Sequence, residues 1–185
     1  MYKIKPLFIL IILLLLSTGL IKAQSTDSLI KDIRAKYQSI RSNLKNYDTT
    51  SREEWEESTE GGQIIGYYKK KDLKLIEGFY FGETGKTETE YYFDKGLLLF
   101  VFEKRYAYNR PIYWDKKHAQ ENSDSVTFDS VKTIIAEDKL YFYREKLIRW
   151  ISNKTTEVDI SLLANSLYGQ SLIDHAYKLQ DIFKK

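Results

Sequence analysis

Residues 79–102 read FYFGETGKTETEYYFDKGLLLFVF, and whether this run opens a helix or alternates as strands decides the fold. Gly85-Lys86-Thr87 ends like a phosphate-binding loop, a G-x-x-x-x-G-K-[ST] turn that opens a helix whose N–H groups hold phosphate. That pattern needs glycine at position 80, where the chain has Tyr80, a residue without glycine's access to positive φ. The next seven residues, TETEYYF at 87–93, have the alternation of a strand. The run therefore reads as successive hairpins, with GETGK and DKG as their turns. Gly85 is expected to take a positive φ, with Glu83, Thr84 and Lys86 in solvent. A nucleotide is not an expected partner.

The same texture extends on both sides. From Gln63 to Ile151 short aromatic and β-branched runs (QIIGYYK, LKLIEGFYF, LLLFVFEKRYAY, VKTIIA, LYFY, LIRWI) alternate with brief charged or glycine-bearing breaks. Such spacing predicts an antiparallel meander of about six to seven strands. YYKKKDLKLI at 67–76 echoes YYFDKGLLLF at 91–100, an offset of 24, and FYREKLIRWI at 142–151 is a third copy. Leu97–Phe102 is apolar at every position, with Leu97, Leu99 and Val101 expected on one face and Leu98, Phe100 and Phe102 on the other. A strand of that kind is central and covered on both sides.

Helical patterns flank the meander. In 27–47, Ile30, Ile33, Tyr37, Ile40, Leu44 and Tyr47 form one stripe, with Thr26 or Asp27 as N-cap. The tail over 157–184 regains helical spacing, with Gly169 expected to break or bend it. Residues 48–62 read as an acidic solvated connection in which Ser51 and Glu54 could cap a short turn around Trp55. The fold class is α+β: an antiparallel meander with an N-terminal and a C-terminal helix packed on it, in a single domain over 24–185.

Residues 1–23 have a secretory signal layout: Lys3 and Lys5, an apolar run from Leu7 to Leu16, then small residues to Ala23. Cleavage near Ala23-Gln24 would export the chain to the periplasm or beyond, with no membrane span after it. The sequence carries 29 Lys+Arg against 26 Asp+Glu, but Lys3, Lys5 and Lys22 belong to the leader, which leaves 26 against 26. A neutral chain lacks the basic stripe that nucleic acid demands. There is no cysteine, so the core alone must hold the fold, without disulfides.

Chemistry-bearing patterns are sparse. His118 and His175 stand apart with no second histidine at ligand spacing, the five glutamates of 53–60 lack a calcium-loop pattern, and no nucleophile motif occurs. No catalytic residue, cofactor or metal is expected. The stretch best composed for contact is YAYNRPIYWDKKH at 106–118, which gathers Tyr106, Tyr108, Arg110, Tyr113 and Trp114 around Pro111. Aromatics with arginine are interface anchors, and Glu60 and Glu83, at two glycine-marked turns, could border such a site. The leading reading is an exported non-enzymatic binding protein for a glycan, a peptide or another secreted protein. One alternative is a small hydrolase using two of Glu60, Glu77, Glu83, Glu90, Glu103 and Asp115. Another is a homodimer zipped through the 30–47 stripe.

The succession TEGG (59–62), GETGK (82–86), EYYF (90–93) and YNRP (108–111) resembles a group of exported bacterial proteins of unknown function. The YYFDKGLL unit is also similar to the hairpin unit of MORN-type repeats, without their regular glycines and many copies. These resemblances imply a β-meander and transfer no catalytic residue.

Overall fold

The computed structural model describes residues 25–54 and 58–184; the leader reading and the turn around Trp55 lie outside them. Helix α1 (Thr26–Asn43) and a 3-10 turn (Leu44–Asn46) precede β1 (Asp48–Glu54), β2 (Gly62–Lys69), β3 (Asp72–Gly82), β4 (Gly85–Asp94) and β5 (Leu97–Ala107). A short α2 (Lys116–Glu121) leads to β6 (Ile134–Phe142), β7 (Leu147–Ser152), β8 (Thr156–Glu157) and helix α3 (Leu163–Lys184). The strands form one antiparallel sheet in chain order. It has eight strands rather than six to seven. The two extra strands are β8, two residues long, and β1, drawn from the stretch read as a solvated connection. Charge misleads there because β1 is an edge: exposed Arg52 and Glu53 suit a strand that must repel further pairing.

The sequence echo is a repeated hairpin. At each of three turns the register slips at the same place: between Tyr67 and Tyr68, Tyr92 and Phe93, and Tyr141 and Phe142. Opposite each slip the returning strand carries one extra residue: Lys74, Leu99 or Ile148. Tyr67, Tyr92 and Tyr141 thereby share one face, while Leu73, Leu98 and Leu147 pack with the other core. Turn for turn, Lys70 matches Lys95, one step beyond the offset of 24. The bulge also corrects the faces of Leu97–Phe102: Leu99 and Phe100 lie with one core, and Leu98 and Val101 with the other. Gly85 is corrected too, because its φ is not positive; the positive-φ glycines among the described residues are Gly61 and Gly96. What requires glycine at 85 is approach, since a Cβ there would run into the carbonyl oxygen of Tyr106 on β5.

One helix covers each face. On the first, Ile30, Ile33 and Ile40 of α1 pack with Leu75, Tyr92, Phe100 and Tyr141, joined by Tyr37, Leu44 and Tyr47. The stripe thus packs against the chain's own sheet, with Tyr37, Leu44 and Tyr47 partly buried there. The N-cap is Ser25, whose Oγ accepts from the Ser28 N–H at 3.3 Å, one residue before the expected Thr26 or Asp27. On the second face, Leu172, Ile173, Ala176 and Leu179 of α3 pack with Ile64, Ile76, Tyr91, Phe93, Val101 and Leu140. Helix α3 starts at 163, not 157, and runs unbroken through Gly169. A Cβ at 169 would stand 2.9 Å from Leu147 Cδ2, so this glycine sets helix-to-sheet distance rather than a bend.

Candidate binding face

The register arranges the α1 side of the sheet in rows. Tyr67, Leu75, Tyr92, Phe100, Tyr141 and Arg149 form the first, and Ile65, Glu77, Glu90, Phe102, Lys139 and Ile151 the second. Gln63, Phe79, Glu88, Lys104 and Glu137 make the third, and Phe81, Lys86, Tyr106 and Ile135 the fourth. Helix α1 lies on the first row and flanks the second. Exposure then climbs, to 44% at Phe81 and 52% at Ile135, so half of this face is an open platform of rings interleaved with charges.

Most of its charges are paired. Lys86 Nζ lies 2.7 Å from Glu88 and 4.5 Å from the Tyr106 ring centroid, and Lys104 lies 3.4 Å from Glu137. The Tyr106 hydroxyl donates to Glu88 at 2.9 Å. Partial burial and that hydrogen bond push its pKa up to about 12. At the helix flank, Glu77 and Glu90 stand directly opposite each other, an unfavourable pairing unless a cation intervenes. Arg41 of α1 supplies it, at 3.3 and 3.2 Å from the two carboxylates. Tyr67 donates to Glu77 at 2.6 Å and Tyr92 to Glu90 at 2.5 Å. Burial raises the Glu90 carboxyl above its ordinary range despite the tyrosine and arginine.

Between α1 and the first two rows lies a cleft of about 230 Å³ over β5, β6 and β7. Its floor is Tyr37, Phe100, Phe102, Tyr141 and Ile151, and its rim carries Arg34, Lys139 and Lys154 with no carboxylate. Arg34 lies 5.5 Å over the Tyr141 ring and donates from Nε to the Tyr141 hydroxyl at 3.2 Å. Lys154 is set by the β7–β8 turn, where Asn153 and Lys154 both hold positive φ, 45° and 76°.

The residues singled out in 106–118 divide. Tyr106 belongs to the platform. Arg110 and Trp114 turn to Asp124, with Arg110 Nε at 2.7 Å and Trp114 Nε1 at 3.2 Å, and Tyr108 stacks edge-on with Phe128 at 5.6 Å. All three thus have partners within the 108–133 excursion. Tyr113 is exposed and donates to Glu83 Oε2 at 3.2 Å at the sheet's end. Arg110, with help from the Val126 N–H, holds Asp124 down at about 2. Stability from a lowered carboxyl is present above its unfolded pKa and lost as pH falls through the folded one. The excursion should therefore loosen below about pH 4, and the Trp114 indole N–H resonance should titrate near pH 2.

The α3 side carries a second carboxylate pair. Glu103 and Asp138 face each other on β5 and β6, nearly buried, and Arg105 bonds to both. Tyr168 donates to Glu103 at 2.9 Å and Trp150 Nε1 to Asp138 at 2.7 Å. Among the described residues no group of three or more acidic or histidine side chains is placed to hold a metal ion. No helix of the described residues is long and apolar enough to cross a membrane. Comparison with family models, curated proteins and solved structures yields no match to this chain.

Proposed function

We propose that this chain is an exported, non-enzymatic binding protein whose ligand lies on the open half of the α1-side sheet face, with its end in the cleft beside α1. The observation that carries this reading is the platform itself: Phe81, Tyr106 and Ile135 stand in one row outside either core, beside a cleft floored by four aromatic rings. Rings at a surface give contact area for sugar faces or extended peptides at little entropic cost. The hydrolase alternative has two carboxylate pairs to draw on, but in each an arginine bonds both members and a phenol or indole already donates to every carboxylate. Hydroxyl-radical footprinting with glycan and peptide pools tests the reading. Protection of Phe81, Tyr106 and Phe102 supports it, and protection confined to Tyr108, Tyr113 and Trp114 overturns it.

A further inference from the structure

Resting on that reading, we infer that the cleft beside α1 takes the acidic group of a ring-bearing anion, a carboxylate carried on a sugar or aryl ring. Several cations on this face come with acids: Lys36 with Asp94, Arg41 with Glu77 and Glu90, Lys86 with Glu88, Lys104 with Glu137, Arg149 with Asp27 and Glu157. Arg34, Lys139 and Lys154 do not. They converge on one cleft, and among the described residues none of them forms an ion pair.

Three like charges around a partly enclosed, aromatic-walled space repel one another, and low-dielectric walls focus their field. An anion in the cleft relieves that repulsion. The Arg34 Nε bond to Tyr141 orients the guanidinium and leaves its two terminal nitrogens, a fork suited to two carboxylate oxygens. Lys139 approaches the Phe102 ring to 6.0 Å, so cation and ring sit where one ligand meets both. The floor of Tyr37, Phe100, Phe102 and Ile151 then covers the ligand's ring, and a volume of about 230 Å³ limits the enclosed part to about one ring. Rings with a fixed carboxylate fit; neutral sugars lose the anchoring contact, and long polyanions extend beyond the cleft.

Calorimetric titration of the purified protein with D-glucuronate, benzoate and methyl glucoside tests this. Glucuronate or benzoate should bind at least tenfold more tightly than methyl glucoside, and whichever binds identifies a sugar acid or an aryl acid. The Arg34→Gln, Lys139→Gln, Lys154→Gln variant should weaken acid binding by at least tenfold. Raising salt from about 50 to 500 mM should weaken it several-fold in the unaltered protein. Equal binding of methyl glucoside, insensitive to the triple variant, overturns the anion assignment while leaving the binding reading intact. Absence of acid binding also overturns the assignment, and footprinting of the platform then decides the binding reading separately.

Discussion

Arg105→Leu should destabilise the protein by about 2–3 kcal/mol: the carboxylates it bonds are buried, but its own side chain is 44% exposed and solvent screens part of the loss. Asp138 has no exposed surface and Glu103 is 7% exposed, and Arg105 is the cation bonded to both. Without it two carboxylates face each other across β5 and β6, with only Tyr168 and Trp150 donating to them. Urea unfolding at pH 7 measures this. A variant within about 1 kcal/mol of the parent at pH 7 would show that the arginine is dispensable to the pair.

Phe93→Ala should cost about 3–5 kcal/mol, the usual loss for a fully enclosed ring. The same change at Phe81, near the far end of the neighbouring strand β3, should cost less than about 1 kcal/mol. Phe93 has no exposed surface and packs with the α3 core, whereas Phe81 is 44% exposed in the outermost row of the platform. The contrast bears on function as well as stability. A large ring that contributes little to folding and stands beside Lys86, in one row with Tyr106, is available for contact with a ligand. Equal losses at the two positions would mean that Phe81 belongs to a core and that the platform is not open.

The hairpins are legible in the sequence because their determinants are local. An aromatic pair, a short charged turn and a leucine recur at 67–73, 92–98 and 141–147, and each hairpin forms from its own segment. The bulge after each turn leaves no mark in composition, so simple alternation places Leu98, Leu99 and Phe100 on shifted faces. Strand β1 is hidden because an edge strand selects charge for the reason a solvated loop does. The glycines mislead in a consistent way: Gly85 and Gly169 answer to atoms of Tyr106 and Leu147, which are distant in sequence.

Of the residues read from the sequence, Tyr106 lies on the platform, and Tyr113 bonds to Glu83 at the sheet's end. Arg110 and Trp114 have the composition of interface anchors, but Asp124, ten residues past Trp114, claims both. The cleft escapes sequence reading because Arg34 on a helix lies more than a hundred residues from Lys139 on a strand and Lys154 in a turn. Its one local signal is Arg34 and Gln38 flanking Tyr37 on the side of the α1 stripe, which turns toward the sheet's open half.

Hydroxyl-radical footprinting of the purified protein, alone and with glucuronate, addresses the central claim most directly. In the free protein Phe81, Tyr106 and Ile135 should oxidise readily while Tyr92, Phe93 and Phe100 stay protected. On adding ligand, protection should grow at Phe102 and Tyr37 and leave Tyr113 and Leu163 unchanged. Protection of Phe81 and Ile135 already in the free protein, or ligand protection that falls only on the 108–133 excursion, would contradict an open binding face beside α1.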